Sequence, residues 1–281
     1  MINKLILVDT SYTNFYRFFA TIRWFSFSNK DMWKLVKDDN KYDWSLNKIF
    51  IDKYEKMYLQ SIIKLIGKRN FKKSIIVFCM DSKKNTLWRH KIMKNYKGNR
   101  TNLEKKRNFK STFDITYKTI IPTIVKNNEN IFSIKVGTAE ADDVIAIITN
   151  YFKEKNPDLS IDIISGDEDF KQLGRKNVTF LDYRKSKKPI QLTEEEAKLN
   201  LLNKILCGDS SDNIKCICSK KIKDDIINDK NKLELYLNNN KDIKNKFNIN
   251  KKMIDFNEIP IDIVNKTLKK SKKIINILHK I

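Results

Sequence analysis

Short apolar runs that end in an aspartate recur along the chain. The segments that show this pattern are residues 4–9, 74–81, 160–169 and 178–181. Each run is rich in β-branched residues and is bounded by polar ones, which is typical of a buried β-strand. The pattern therefore predicts four strands, and it places Asp9, Asp81 and Asp167 directly after the carboxyl ends of three of them.

Helical periodicity fills other parts of the chain. Apolar residues recur at intervals of three and four over residues 45–66 and 139–152. Thr193 with a glutamate three residues later is a capping box, so a helix is predicted to begin there and the rest of the chain to be helical. Residues 260–281 are predicted to form a terminal helix with a lysine-rich face. Residues 228–252 are rich in Asn and Lys, and a solvated loop or irregular helix is predicted for them.

Strands that alternate with helices are typical of an α/β fold. We therefore predict a central, mostly parallel sheet flanked by helices over residues 1–190, followed by a helical half over residues 191–281. Ligands of such sheets gather at the carboxyl ends of the strands. The strand-end aspartates are thus expected to lie at one functional edge.

The chain is strongly basic. Its 281 residues include 57 Lys and Arg against 34 Asp and Glu, which gives a formal charge of +23. Such a charge attracts polyanions, either nucleic acid or an anionic membrane surface. An A/T-rich coding sequence would also overuse Lys, Asn and Ile, so charge alone leaves a merely solvated surface open as an alternative.

Nothing in the sequence indicates secretion or a membrane partner. The apolar run Leu5–Val8 is too short for a signal peptide, and no stretch approaches the length of a membrane span. The four cysteines are expected to be free thiols in a reducing cytoplasm, that of the host if the protein is viral, with a nuclear location left open. The Cys216-x-Cys218 pair has no partners nearby and is only a weak zinc signal.

Acidic residues form compact clusters in this basic chain. The clusters are Glu140 with Asp142 and Asp143, Asp167 with Asp169, and Asp209 with Asp212. Each cluster alone fits a helix N-terminus that carries capping acids. Together with Asp9 and Asp81 they would repel one another, and bound divalent cations would relieve the repulsion. Oxygen ligands favour two Mg²⁺ ions, with Mn²⁺ as an alternative, and the two histidines are too few for histidine-based chemistry.

A basic segment with interleaved aromatic residues follows Asp81. Over residues 88–110 lysines and arginines alternate with Trp88, Tyr96 and Phe109. Cations that contact phosphates and rings that stack on bases are typical of single-strand binding. A solvated helix with lysine-rich faces is the alternative. We expect this segment to lie over the acidic edge, where a Lys or Arg would stabilise charge on a phosphate.

Six short pieces, in order, resemble the 5′-nuclease superfamily of flap endonucleases, polymerase 5′-3′ exonuclease domains and phage 5′-exonucleases. The pieces are Leu7-Val-Asp9, Val77-Phe-Cys-Met-Asp81, Trp88-Arg89 with Tyr96-Lys-Gly-Asn-Arg100, Glu140-Ala-Asp-Asp143, Ser165-Gly-Asp-Glu-Asp169 and Gly208-Asp-Ser-Ser-Asp-Asn213. The Trp-Arg start of the third piece is most similar to the ribonuclease H of T-even-type phages. The resemblance implies a PIN-like core with a basic arch at about residues 88–118 and a DNA-binding helical half.

The resemblance also implies roles for particular residues. The implied metal ligands are Asp9, Asp81, Glu140, Asp142, Asp143, Asp167, Asp169, Asp209 and Asp212. Lys97 and Arg100 are implied as the catalytic cations beside the scissile phosphate. The implied nucleic-acid contacts are Arg89, Tyr96, Lys97 and Arg100. The family's glycine-rich helix-hairpin-helix is replaced here by a glycine-free run, in which Lys215, Lys220 and Lys221 are expected to supply charge instead.

The expected activity is metal-dependent 5′-3′ exonuclease or flap endonuclease cleavage during replication or repair. The expected substrates are 5′ flaps, nicked ends and RNA primers on DNA, and a single-strand-binding protein is a candidate partner. Two alternatives remain open. One is a ribonuclease of the related PIN-domain class, and the other is a nucleic-acid-binding protein with a degenerate site.

Overall fold

A five-stranded parallel sheet forms the centre of the molecule. The computed structural model describes residues 3–100, 108–184 and 188–279, with the side chain of Arg100 left aside. The strands are β1 (Lys4–Asp9), β2 (Ser74–Met80), β3 (Ile131–Lys135), β4 (Ser160–Ile164) and β5 (Val178–Leu181), and their order across the sheet is β3-β2-β1-β4-β5. The predicted α/β fold and its parallel sheet are confirmed.

The amino-terminal helices cover the sheet and connect its strands. They are α1 (Thr10–Ser28), α2 (Lys30–Val36), α3 (Lys48–Ile66), α4 (Lys68–Lys73), α5 (Lys110–Ile115), α6 (Ile121–Lys126) and α7 (Ala141–Lys155). A π-helical stretch, Thr116–Ile120, joins α5 to α6. The predicted helices over 45–66 and 139–152 correspond to α3 and α7. Neither α1 nor β3 was predicted.

The edge position of β3 explains why its pattern was weak. Only Ile131 and Ile134 of its five residues are buried, whereas the residues of β1 are buried almost throughout. A strand at the edge of a sheet packs on fewer neighbours and therefore needs no continuous apolar run.

The carboxyl-terminal half is helical, as predicted. Its helices are α8 (Glu194–Cys207), α9 (Lys220–Ile226), α10 (Lys230–Asn238), α11 (Lys241–Ile254) and α12 (Ile261–Leu278). The capping box at Thr193 is present, since Glu196 N donates to Thr193 Oγ1 at 3.1 Å and Thr193 N donates to Glu196 Oε2 at 2.7 Å.

The prediction of a loop or irregular helix over residues 228–252 was wrong. The segment forms two regular helices, α10 and α11, which begin at Asp229 and Asn240 caps. Asn250 of α11 donates to the carbonyls of Ile205 and Lys215, both at 2.9 Å. Tertiary contacts of this kind stabilise helices that a polar composition alone would not favour.

Two hydrophobic cores lie on opposite faces of the sheet. One core packs α1 and α3 on the sheet through large aromatic side chains such as Phe18, Phe50 and Tyr54. The other packs α7 and α12 through aliphatic side chains such as Val144 and Ile274. Within the described residues, no helix is both long and apolar enough to cross a membrane.

The strand register aligns the residues that follow the strands. Val8 of β1 pairs with Phe78 of β2 and with Ile164 of β4. The residues just beyond these positions therefore emerge at one edge of the sheet. Asp9, Asp81 and Ser165 reach this edge because the three strands are parallel and in step.

Candidate active site

A pocket of about 520 Å³ opens at the carboxyl edge of the sheet. The predicted metal ligands that line it are Asp9, Asp81, Asp142, Asp167, Asp169, Asp209 and Asp212. They come from the ends of three strands, the start of α7 and the turn after α8. The fold thus brings together seven of the nine residues that the sequence singled out as ligands.

Short local contacts fix the carboxylates of the two central strands. Asp9 caps α1 by accepting from Tyr12 N at 3.0 Å, and it also accepts from Ser165 Oγ at 2.8 Å. Asp81 accepts from the backbone N of Ala141 at 2.8 Å and from the hydroxyl of Ser11. Each aspartate is therefore aimed at the pocket by the first turn of a neighbouring helix.

The carboxylates at the pocket floor repel one another. Burial, and then the charges of Asp81 and Asp167, raise the pKa of Asp9 to about 7. Burial, and then the charges of Asp9 and Asp167, raise the pKa of Asp142 well above its ordinary value. Asp142 has no hydrogen-bond donor among the described residues, so its charge is left for a ligand to balance.

A second group of carboxylates surrounds Lys204. The ammonium group of Lys204 lies 2.7 Å from Asp169 and 2.8 Å from Asp209. Burial, and then the charge of Asp167, raise the pKa of Asp169 to about 6. Burial would also raise the pKa of Asp209, but hydrogen bonds from Lys204 and Ser211 lower it to about 2. Lys204 thus supplies a positive charge where two carboxylates face each other.

Glu140 and Asp143 lie behind the pocket in a network of cations. Arg89 Nη1 is 2.9 Å from Glu140 Oε2 and 2.8 Å from Asp143 Oδ1. Asp143 also accepts from the indole of Trp88 at 2.9 Å and is completely buried. Neither carboxylate lines the pocket, so their predicted role as metal ligands remains a prediction.

The basic segment contributes buried residues to this network. Tyr96 donates to Glu140 at 2.9 Å and to Asp212 at 3.0 Å. The ammonium group of Lys97 is hydrogen-bonded to Glu140 and lies 3.9 Å from Asp212, and the backbone of Lys97 is left-handed with φ of 55°. Arg89 is only 3% exposed and also donates to the carbonyl of Met253 at 2.9 Å. All three residues line the pocket wall.

The positive charges of Lys97 and Arg89 change the pKa of Glu140. Burial alone would raise the pKa of Glu140, but Lys97 and Arg89 together lower it. Glu140 therefore remains ionised and holds Lys97 at the pocket. Arg89 and Tyr96 offer little surface to a nucleic acid in this arrangement, and their predicted contact with it stays a prediction.

The predicted arch at residues 88–118 is partly described. Its first part forms short 3₁₀ turns that end with Gly98–Arg100. The side chain of Arg100 and residues 101–107 lie outside the described residues. The last part belongs to the fold's interior instead, because Phe109 and Phe113 pack against the core around α1.

The predicted duplex-binding lysines are exposed. Lys215, Lys220 and Lys221 lie in the connection between α8 and α9 and at the start of α9. This connection holds the left-handed residue Asn213, with φ of 65°. The helix-hairpin-helix-like element predicted here stays a prediction, and Cys216 and Cys218 are free thiols.

The donor set fits a hard divalent cation. The pocket offers carboxylate oxygens and hydroxyls, which are the ligands of Mg²⁺ and Mn²⁺ rather than of zinc. Within the described residues, no three His, Cys, Asp or Glu side chains stand close enough together to hold one ion as they lie. Burial, and then the charges of Asp9 and Asp167, raise the pKa of Asp142 well above its ordinary value, so a bound cation would relieve repulsion at this point of the pocket.

Two basic residues of the pocket, Lys204 and Arg184, were not predicted from the sequence. Lys204 lies four residues before Gly208 on α8, so its approach to Asp209 follows from the turn after the helix. That spacing was a usable signal. Arg184 carried none, because its position depends on how β5 pairs with β4.

Comparison with known proteins finds relatives of this chain. Residues 4–201 match the family model described as 5′-3′ exonuclease, N-terminal resolvase-like domain. A 5′-3′ exonuclease of Mycoplasmopsis pulmonis is 34% identical over 167 residues, which cover 57% of this chain and 52% of that protein. The ribonuclease H of bacteriophage T4 is 28% identical over 217 residues, which cover 67% of this chain and 66% of that protein. The match thus spans about half to two thirds of these relatives.

Solved structures share the fold. A bacteriophage T5 protein co-crystallised with metal ions has a TM-score of 0.62 at 16% identity, with 96% of this chain and 99% of that chain covered. The T5 flap endonuclease, solved as a pseudo-enzyme-product complex with DNA and metal ions, has a TM-score of 0.62 at 18% identity, with 98% and 99% covered. Since the family model matches more than half of the chain, including all the strands and seven of the nine predicted ligands, this protein belongs to the 5′-3′ exonuclease family.

Proposed function

We propose that this protein is a divalent-metal-dependent 5′-nuclease that hydrolyses phosphodiesters. One observation carries the proposal. Asp9, Asp81 and Asp142, which are distant in sequence, meet in a single pocket beside Lys97. Their mutual repulsion, together with burial, raises the pKa of Asp9 and of Asp142, so the pocket is built to receive positive charge.

Two groups of carboxylates would hold two cations, for which we propose Mg²⁺, with Mn²⁺ as a substitute. The first group is Asp9, Asp81, Asp142 and Asp167, and the second is Asp167, Asp169, Asp209 and Asp212, while Glu140 and Asp143 are proposed to support the site from behind the pocket. Bound divalent ions supply an activated water and neutralise charge on the phosphate. Asp167 contributes charge to both groups, since it acts on Asp9 and on Asp169. Binding would draw the carboxylates closer together than they now lie.

Lys97 is proposed to stabilise the scissile phosphate. Its hydrogen bond to Glu140 holds the ammonium group at the pocket wall without any need for the chain to rearrange. A cation that is positioned in advance stabilises the negative charge that develops during cleavage. Arg100 is proposed to assist from the same segment.

The proposed substrates are 5′ flaps, nicked DNA and RNA primers on DNA. The relatives and neighbours named above include a ribonuclease H and a flap endonuclease in complex with DNA. Lys215, Lys220 and Lys221 are proposed to contact duplex phosphates through charge. A cytoplasmic location and a single-strand-binding protein as partner belong to the same proposal.

The test compares two pocket aspartates with a matched control. Asp142→Ala and Asp167→Ala are expected to reduce the cleavage rate of a labelled 5′-flap DNA by about 10²–10³-fold, comparable with the loss of one charge-stabilising group. Asp158→Ala, in an exposed turn before β4, is expected to cleave at the wild-type rate. Excess chelator should abolish cleavage by the wild type. Undiminished cutting in chelator, or by the Asp142 variant, would refute the proposal.

A further inference from the structure

Arg184 is a second positive charge at the pocket. It lies three residues after β5, and its side chain is 62% exposed. It lines the same pocket as the carboxylates and Lys97. An exposed cation that faces a catalytic pocket is available to a ligand that enters it.

Several contacts hold the guanidinium of Arg184 in place. Nε is 3.2 Å from Asp182 Oδ1, and Nη2 is 3.2 Å from Asp182 Oδ2 and 3.1 Å from the carbonyl of Gly166. Among the described residues, none accepts a hydrogen bond from Nη1. Arg184 is thus anchored through one side of its planar group, and the other side remains for an anion.

A ladder of tyrosine rings supports the guanidinium. The guanidinium carbon lies 5.5 Å from the centre of the Tyr12 ring. The Tyr12 ring stacks on Tyr183 at 5.7 Å, and Tyr183 stacks on Tyr16 at 4.1 Å with an interplanar angle of 7°. The Tyr12 hydroxyl also donates to Asp182. This arrangement reduces the conformational freedom that Arg184 would lose on binding.

Gly166 makes the close approach possible. A Cβ atom at this position would collide with the Arg184 guanidinium and lie 2.8 Å from Cε2 of Tyr12. Gly166 directly precedes Asp167, one of the proposed metal ligands. The glycine therefore places Arg184 beside the carboxylates, on the β4–β5 side of the pocket.

Lys97 and Arg184 reach the pocket from segments that follow different strands. Lys97 belongs to the segment that follows β2, and Arg184 follows β5, with β1 and β4 between them. Three inter-strand spacings separate the two strands by about 14 Å. Two cations so placed would contact different phosphates of one strand rather than the same phosphate.

We propose that Arg184 binds a non-scissile phosphate of the nucleic-acid strand that crosses the pocket. The identity of the anion rests on the proposed nuclease function. The planar fork of a guanidinium matches the geometry of phosphate oxygens. Two fixed cations that follow different strands of the sheet would set the path of the nucleic-acid strand over the carboxylates, and so would determine which phosphate reaches Lys97.

The experiment measures binding separately from cleavage. Affinity for a fluorescent 5′-flap DNA is measured by anisotropy in excess chelator, over a series of salt concentrations. Arg184→Gln is compared with Arg23→Gln, which removes the same charge from an exposed position on α1. We expect the Arg184 variant to bind about tenfold more weakly, the effect of one charge-assisted hydrogen bond. For this variant, the slope of log Kd against the logarithm of the salt concentration should fall in magnitude by about one.

The control and a conservative variant sharpen the result. Arg23→Gln should retain the wild-type affinity and salt dependence to within about twofold, as expected for a distant surface change. Arg184→Lys keeps the charge but not the fork, so it should keep the salt dependence and lose about threefold in affinity. Thermal melting of each variant shows that it is folded.

Two outcomes would overturn the inference. The first is a folded Arg184→Gln variant with wild-type affinity and salt dependence, which would make Arg184 only the ion-pair partner of Asp182. The second is a slower cleavage rate with unchanged binding. Failure of the proposed nuclease function would show differently, as absence of metal-dependent cleavage by the wild type, whereas the binding comparison does not depend on cleavage.

Discussion

Asp142 and Asp143 are neighbours in the first turn of α7, yet their surroundings have opposite charge. Asp142 faces the pocket, where burial and the charges of Asp9 and Asp167 raise its pKa. Asp143 faces away from the pocket, toward Arg89 at 2.8 Å and the Trp88 indole at 2.9 Å. Asp142 makes no ion pair among the described residues, whereas Asp143 is paired with Arg89 inside the protein. Within one motif, Asp142 is thus placed to bind a ligand, whereas Asp143 stabilises the fold.

The two environments teach how a basic protein builds an acidic site. The network behind the pocket uses Arg89 to join α7 to the carbonyl of Met253 on α11, so it connects the sheet to the helical half. That connection also fixes Lys97 through Glu140. Asp9 and Asp81 in the pocket, by contrast, are held by backbone N–H groups and hydroxyls, which leave their charge uncompensated.

The largest expected difference between Asp142 and Asp143 is in their contribution to the free energy of unfolding. Asp143→Ala should lower the free energy of unfolding by about 3–5 kcal/mol, because it leaves the buried Arg89 without one of its partners. Asp142→Ala should leave that free energy unchanged or raise it, since it removes repulsion. Urea unfolding in excess chelator measures both. Equal losses for the two variants would show that the environments do not differ.

A double variant identifies the source of that loss. Asp143→Ala combined with Arg89→Met removes both charges of the pair. It should be less destabilised than the sum of the two single variants, since no unpaired charge stays buried. Strict additivity would assign the loss to packing rather than to the ion pair.

A smaller effect concerns pH and divalent ions. The folded-state pKa of Asp9 is about 7, against an ordinary value of 3.8, so folding favours its protonated form. The stability that this group contributes is fully present below its ordinary pKa and is lost as the pH rises through about 7. Without metal, Tm should therefore fall over this range. Added Mg²⁺ should raise Tm more at about pH 8 than at about pH 5.

Asp9→Asn provides the control for this pH dependence. The variant has no charge to desolvate, so its Tm in chelator should decline less between the same two pH values. Calorimetry measures the change in Tm between the two pH values for the wild type and for Asp9→Asn, each in chelator and in Mg²⁺. A Mg²⁺-induced rise in Tm that is equal at both pH values would contradict the assignment of repulsion to the pocket.

The smallest expected effect lies outside both environments. Thr193→Ala removes the side-chain cap of α8 and should cost about 1 kcal/mol of stability. The catalytic rate on flap DNA should be unchanged, because Thr193 is not among the described residues that line the pocket. A fall in rate larger than about twofold would mean that α8 must be fully formed to place Lys204 and Asp209.

Much of the fold was predictable because its signals are local. The apolar runs before Asp9 and Asp81 require only neighbouring residues to be recognised as strands, and the capping box at Thr193 is a contact over three residues. The edge strand β3 was not predicted, and the prediction of a loop or irregular helix over residues 228–252 was wrong. Both elements depend on tertiary packing, which a local pattern does not show. In the site, the sequence supplied the identity of the acids without their orientation.

The sequence by itself determined four of the five strands, the acids that follow them and the chemistry that such acids support. Only the tertiary structure decided that Asp142 faces the pocket while Asp143 pairs with Arg89, and that Arg184 reaches Gly166 from a different strand. The reason is physical. Orientation about a helix, strand order and the pairing of buried charges depend on contacts between residues far apart in the chain, and no local pattern encodes those contacts.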